Sequence, residues 1–465
     1  MVRLSRYSHI FKVDEAVALY HSLRMKPVFL SCNAYESLQA WLANPFSIFI
    51  EEAPEHIKHE VQELKRWKIL ITEQDEDDKV LNFIRNRIPD PGISVCYMIL
   101  SEQCNLACKY CFLGNNDSDK RKRFEKSNMT IEIAERAVQF YISQLHKSGL
   151  DFEHTNPVVI FYGGEPLINF ETLVYIAKRL LSLKETEICL RNLELSIVTN
   201  GLLLNKERIT ILKNLNIGVA ISIDGFTEEE NEMRVDVNGR TVFKDVLRVL
   251  DMCKAEGLDV SLSVTLSLET IKKKESVLEL VGEYGIKSIG FNILMSSDTF
   301  KVPESYGDEA AEYIIDVFCQ LRKLGIYEDR MIRKIDAFSK AQVYYSDCAA
   351  TNGGQIVISP VGKVGICHGC LHDKKYFVTD IYDQKFDCKT NASFIEWSQI
   401  TPINNDECQK CPALGICGGG CPLNASYLKK GNTIHSVDKR FCPHAIKTLE
   451  FLIKDLYRLM KERNS

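Results

Sequence analysis

Between residues 94 and 325 short apolar runs alternate with longer segments of helical period, and this alternation constrains the fold more than any other feature of the chain. "VCYMIL", "PVVIFY", "LELSIVT", "GVAISID", "DVSLSVT" and "KSIGFNIL" are separated by stretches such as "MTIEIAERAVQFYISQLHKSG" and "VFKDVLRVLDMCKAEG". Six strand-then-helix units predict an α/β fold with a parallel sheet and right-handed crossovers. Runs apolar at consecutive positions, as in "VVIFY", suit strands buried on both faces. An open doubly wound sheet and a partial barrel both satisfy the periodicity. In either, active-site groups collect beyond the carboxyl ends of the strands. The polar and glycine-rich segments fall there: "CNLACKYC" after the first run, "GGEP" after the second, "TNG" after the third and "DG" after the fourth.

The flanking regions read differently. Residues 1–88 combine a strand-like "KPVFLS" with an amphipathic "EEAPEHIKHEVQELKRWKIL", where Ile57, Val61, Leu64 and Trp67 share a face. The acidic "EQDEDDK" reads as a solvated turn. A small winged-helix-like module suits this pattern, and without a cluster of titratable or metal-binding residues it is not expected to be catalytic. Residues 345–442 are loop-rich with little periodic apolar surface, so their order is expected to depend on metal. Residues 443–465 form a closing amphipathic helix with Leu449, Ile453, Leu456 and Met460 at helical spacing.

The net charge of -5 provides no global basic field to attract nucleic acid. No apolar segment follows Met1 and no run of eighteen apolar residues occurs, so neither export nor a membrane span is expected and the protein is expected in the cytoplasm. There, 17 cysteines point to metal or redox work and away from disulfides. Cys32, Cys96, Cys189, Cys253 and Cys319 are scattered through apolar patterns and are expected to be buried, inert thiols. The others fall in two groups, Cys104, Cys108 and Cys111, and a C-terminal set of Cys348, Cys367, Cys370, Cys388, Cys408, Cys411, Cys417, Cys421 and Cys442. A structural zinc ion wants four nitrogen or sulfur ligands, and residues 112–145 offer the first group neither His nor Cys. Three thiolates suit a four-iron cluster with one iron left open to a further ligand.

With its C-x3-C-x2-C spacing and Tyr110 before the last cysteine, the chain resembles the radical S-adenosylmethionine (SAM) superfamily. The resemblance runs over residues 94–325 and implies a partial (β/α)6 TIM-type barrel. It also implies a [4Fe-4S] cluster on Cys104, Cys108 and Cys111 whose open iron chelates SAM, and reductive cleavage of SAM to a 5'-deoxyadenosyl radical that takes hydrogen from a substrate. Gly163, Gly164 and Glu165 resemble the segment holding the SAM amino group. Thr199, Asn200 and Gly201, together with Ser222 to Gly225, resemble the ribose- and carboxylate-side contacts, and Arg234 the partner of the SAM carboxylate. "FNIL" (Phe291 to Leu294) would border the adenine. A low-potential donor such as flavodoxin or ferredoxin is implied.

The C-terminal cysteines, with C-x2-C-x5-C-x3-C at 408–421, resemble the Fe-S-rich SPASM domain, which implies two auxiliary [4Fe-4S] clusters and three in all. By resemblance one takes Cys348, Cys367 and Cys421, its fourth position filled by Cys370, with Cys388 behind it, or left open. The other takes Cys408, Cys411, Cys417 and Cys442. A pair of zinc ribbons is the alternative. Sulfatase-maturing members carry an Asp directly after the cysteine matching Cys367; here His368 stands there and the catalytic base stays unassigned. SPASM proteins mostly modify ribosomally made peptides, which implies a precursor peptide whose leader adds as a strand to the N-terminal module, near Val28 to Leu30. "RLSRYSHIF" resembles the openings of such maturases. A thioether crosslink from a Cys thiol to carbon is the first expectation, a carbon-carbon or carbon-oxygen link the second, and formylglycine formation the third. An electron carrier without chemistry of its own is the alternative from another class, but a carrier would have no use for "GGEP".

Overall fold

The structure is a computed structural model that describes residues 2–44, 49–72, 76–113, 127–296, 301–429 and 431–464. The N-terminal region comprises β1 (Arg3–Leu4), β2 (Ser8–Val13), β3 (Ala16–His21), β4 (Lys26–Ser31), α1 (Cys32–Ala43), α2 (Lys58–Arg66), β5 (Leu70–Ile71) and α3 (Glu76–Arg85). β2, β3 and β4 form an antiparallel meander, and β1 pairs with β5. Its own core gathers Leu19, Leu30, Leu38, Ile57, Val61 and Leu64. The amphipathic stretch is not one helix: short 3-10 turns at Ile50–Glu52 and Glu55–Ile57 precede α2, with Pro54 between them.

The acidic run is no solvated turn where it is described. Glu76, Asp77 and Asp78 are the first turn of α3, and Asp77 is buried, accepting from Ser5 Oγ at 2.5 Å and the Arg3 guanidinium at 3.1 Å. Carboxylates at a helix N-terminus meet the positive end of its dipole, and alternating charge alone does not reveal that. Residues 73–75 of the run lie outside the described residues.

The central region runs β6 (Val95–Ser101), α4 (Ile131–Ser148), β7 (Val158–Gly163), α5 (Phe170–Leu183), β8 (Glu194–Thr199), α6 (Lys206–Asn214), β9 (Ile217–Ile223), α7 (Phe243–Ala255), β10 (Val260–Leu266), α8 (Lys274–Tyr284), β11 (Ser288–Ile293), α9 (Tyr306–Leu321), β12 (Tyr327–Glu328) and α10 (Asp329–Lys340). Strands β6 to β12 lie side by side in chain order, all parallel. A doubly wound sheet would reverse direction at a switch point. The uninterrupted order is that of a partial TIM-type barrel.

These strands are not buried on both faces. Val159, Phe161, Leu195, Ile197, Ile221 and Val264 pack under the helices, whereas the alternate residues Tyr97, Tyr162, Ser196, Ser222, Ser263 and Thr265 are only half-buried. The inner face is therefore less tightly covered than the outer one, and polar along β9 to β11. Ser222 is in register with Ser263 and Thr265 with Asn292, whose amide donates to Ser263 Oγ at 2.9 Å.

The C-terminal region joins the same sheet. β13 (Gln355–Ile358) lies parallel beside β6, and β14 (Lys363–Gly365) and β15 (Phe377–Asp380) extend it antiparallel to ten strands. Two short helices, α11 (Ala392–Ser398) and α12 (Pro422–Leu428), precede α13 (Cys442–Asn464). On α13 Leu449 and Ile453 are buried, while Met460 is 45% exposed. Tyr20, Met25, Phe338, Ala413, Ile416, Leu449 and Ile453 share one apolar cluster, so the N-terminal module is seated on the cysteine-rich region and on α13. Of the scattered cysteines, Cys96, Cys189 and Cys253 are buried, but Cys32 is exposed at the start of α1 and Cys319 is half-buried. Among the described residues no helix is long and apolar enough to cross a membrane.

Candidate functional site

Cys104, Cys108 and Cys111 occupy the loop after β6, half-buried and within electrostatic reach of one another. The backbone pins this loop: Ala107 N donates to Val235 O and Lys109 N to Met233 O, both at 2.8 Å. From the other side Gly164 N donates to Ser101 O at 2.9 Å and Glu165 N to Gln103 O at 2.8 Å. A Cβ on Gly163 would overlap the Ser101 carbonyl and one on Gly164 the Gln103 carbonyl, so both glycines permit this close approach of loops.

Glu165 is buried, and its carboxylate accepts from Leu167 N at 3.0 Å, Thr199 Oγ1 at 2.6 Å and Asn200 N at 2.9 Å. Burial pushes its pKa up, against those donors. Its side chain thus ties the β7 loop to the β8 loop, and Asn200 Nδ2 carries the tie to Asn105 Oδ1 at 2.9 Å. On the far side Tyr110 OH donates to Asp224 at 2.8 Å, and Arg234 bonds Asp224 at 2.8 Å and Tyr110 OH at 2.6 Å. The Arg234 Nε is buried without a hydrogen-bond partner. Of the "FNIL" segment, Phe291, Ile293 and Leu294 are buried and only Asn292 is exposed, on the inner face.

The C-terminal cysteines form two groups. Cys348, Cys367 and Cys421 lie within electrostatic reach of one another, as do Cys408, Cys411, Cys417 and Cys442. Cys370 is buried and hydrogen-bonded to the Cys367 thiol. Cys388 is packed with Phe386 and Phe394 in the apolar core. An aromatic wall lies between the β6-loop thiols and Cys367: His368 stacks on Tyr97 at 4.4 Å and meets Tyr162 at 5.1 Å and Phe112 at 5.7 Å. Tyr162 senses the charge of Cys104 and Cys111 as well as Cys367. His368 Nδ1 has no partner, and burial lowers the ring's pKa to about 4, so it is neutral.

Residues 98–281 match the sequence profile of the Radical SAM superfamily. The chain is a radical SAM enzyme. The radical SAM cyclopropyl synthase TigE of Paramaledivibacter caminithermalis is 27% identical over 80% of this chain and 74% of its own length. The fold is similar to that of native anSMEcpe with bound AdoMet, with TM-score 0.62, 18% identity and coverage of 80% of this chain and all of that one. It is also similar to Streptococcus suis SuiB bound to precursor peptide SuiA, with TM-score 0.53, 16% identity and coverage of 95% of this chain and all of that one. With the superfamily come SAM and a [4Fe-4S] cluster.

Among the described residues, none of the three thiol sets is gathered as closely as a single zinc ion requires. Around one zinc ion thiolates lie about 3.8 Å apart, given Zn–S bonds near 2.3 Å. Among the described residues the groups that bring three ligand atoms within 4.8 Å of one another are His146, Glu187, Cys189 and Asp151, Glu153, His154, and neither contains a cysteine of the three sets. Burial pushes the thiols of Cys348, Cys408, Cys421 and Cys442 up to about 12 and those of Cys108 and Cys417 up to about 11. Such groups become thiolates at neutral pH when a metal takes the charge. Sequence reasoning reached Asp224 only as part of "SIDG", without its pairing to Tyr110 and Arg234, and it did not single out Asn105, Tyr97 or Tyr162. The period-two alternation of Ser and Thr in "LSIVT" and "SLSVT" was the available signal for the inner face.

Proposed function

We propose that this radical SAM enzyme is a peptide maturase that introduces an intramolecular crosslink, a Cys thioether to carbon, into a ribosomally made precursor peptide. The observation carrying the reading is the N-terminal module seated on the cysteine-rich region beside the barrel. SuiB, crystallised with its precursor peptide, matches 95% of this chain, whereas anSMEcpe matches 80%. The fifth of this chain that anSMEcpe leaves unmatched is about the size of residues 1–88. Among the described residues β4 pairs only with β3, so its outer edge is available for a leader strand.

In this reading Cys104, Cys108 and Cys111 hold the SAM-binding cluster, Cys348, Cys367 and Cys421 a first auxiliary cluster, and Cys408, Cys411, Cys417 and Cys442 a second. Bound SAM supplies a 5'-deoxyadenosyl radical on one-electron reduction from a donor such as flavodoxin or ferredoxin. The backbone of Gly163 and Gly164 meets the SAM amino end. Glu165, Thr199 and Asn200 hold that loop in place, and Ser222 lies on the inner face of the barrel. Tyr110, Asp224 and Arg234 brace the cysteine loop, with the Arg234 Nε left for an acceptor. The aromatic wall of Tyr97, Tyr162 and His368 confines the substrate between the SAM site and the first auxiliary site. Cys370 is hydrogen-bonded to the Cys367 thiol, and in this reading the fourth position of that site is left to the substrate thiol.

Anaerobic reconstitution with iron, dithionite and SAM, followed by co-expression with a short Cys-rich peptide encoded nearby, tests the reading. The expected results are about twelve iron atoms per chain, 5'-deoxyadenosine, and loss of two hydrogens per crosslink. No 5'-deoxyadenosine, or zinc in place of iron, would sink it; formylglycine in a co-expressed sulfatase would replace the crosslink by the sulfatase reading.

A further inference from the structure

Helix α10 drives three cations into the interior next to the four-cysteine group. Arg330, Arg333 and Lys334 all face Asp347, at 3.5, 3.5 and 3.6 Å. Lys334 is fully buried, and its Nζ donates to the Cys417 carbonyl at 3.1 Å. Its ammonium also lies over the rings of Phe441, at 4.9 Å, and Tyr344, at 5.7 Å. Arg333 has a second carboxylate, Asp329, at 2.8 Å. Lys334 shares Asp347 with both arginines, so positive charge is in excess at Cys417. Buried charge without a full counter-charge is costly, unless an anion completes the set.

An unmatched donor in the N-terminal module lies near Cys411. Tyr20 on β3 is fully buried, and its hydroxyl has no hydrogen-bond partner. It packs in the cluster that also takes in Cys411 and Cys417, its ring stacked on Phe338 at 6.2 Å. The module thus presents a spare O–H near Cys411, and α10 a positive charge at Cys417, two members of one thiol group.

We propose that Lys334 and Tyr20 are positioning residues that raise the reduction potential of the iron-sulfur group held by Cys408, Cys411, Cys417 and Cys442, so that the N-terminal module and the barrel helix α10 jointly control it. This rests on the cluster assignment made under "Proposed function". One-electron reduction by a low-potential carrier adds a negative charge to the group, and a nearby ammonium and a donated hydrogen bond stabilise that charge.

The test uses full-length protein in which Cys104, Cys108 and Cys111 are alanine, loaded anaerobically, so that only the two auxiliary signals are titrated by EPR against potential. Lys334→Met and Tyr20→Phe are expected to lower the midpoint of one signal and leave the other in place, and Lys334→Arg to restore it. Full iron content with both midpoints unmoved would overturn the proposal, as would an equal shift of both signals. Should Lys334→Met lose iron, Tyr20→Phe decides alone, because it removes a single oxygen and leaves the packing. Absence of iron from the four-cysteine group in the parent protein would defeat the cluster assignment itself, a different failure from unmoved potentials.

Discussion

The loop after β6 and the region around residues 402–442 both gather thiols, but they are held in opposite ways. The β6 loop hangs from a sheet whose core of Met98, Leu100, Phe161, Ile197 and Ile221 is fully formed without it, and the braces of Glu165 and Asp224 run between strand ends. The C-terminal groups sit among turns, with left-handed glycines at Gly418, Gly419 and Gly420 and buried ions at Lys334 and Asp347. A site on a prebuilt scaffold keeps its shape when empty. A site made of turns and buried charge needs its occupant to complete the interior.

Removing iron should expose the largest difference. After chelation, limited proteolysis is expected to cut within residues 402–441 while the fragment spanning α4 to β11 survives with its circular dichroism unchanged; equal protection of both would break the contrast. Next in size is Asp224→Asn, which leaves Arg234 buried without its counter-charge and should cost about 4 kcal/mol of stability. Its readout is denaturant unfolding together with loss of 5'-deoxyadenosine formation, and iron in the C-terminal groups should be unaffected.

A pH effect should mark the helix carrying the cations. Glu328 accepts from Arg330 N at 3.1 Å and Met331 N at 2.8 Å, capping α10, and burial raises its pKa from 4.5 to about 7. The folded chain therefore binds the proton more tightly, so stability falls as pH rises from about 4.5 to about 7 and is flat above. The full span is at most about 3 kcal/mol, and Glu328→Gln should flatten that part of the melting-temperature profile. The smallest effect belongs to Cys370→Ala: iron content and auxiliary EPR signals should persist, with a stability loss of about 1 kcal/mol from the vacated volume. Loss of one auxiliary signal would instead make Cys370 a ligand.

Much of the site's inventory was legible before any coordinates. Cysteine spacing marked the thiols and strand-end placement marked Gly163, Gly164, Thr199 and Asn200, because backbone chemistry and short spacing are local, while Arg234 came only from the family resemblance. What Glu165 and Arg234 do with their side chains was not legible. Their partners, Thr199, Tyr110 and Asp224, lie up to 124 residues away, and no local pattern records such pairing.

The sequence by itself determined that six strand–helix units form the middle of this protein, and that its thiols come in sets and not as isolated residues. Periodicity and spacing are properties of neighbouring residues, so they survive without the fold. Only the tertiary structure decided that the strands follow one another without reversal, that their inner faces are less tightly covered than the outer ones, and that His368 joins Tyr97 and Tyr162 there. It alone brought Tyr20 and Lys334 to one thiol group, because strand pairing and the closing of distant loops bring together residues that are far apart in the chain.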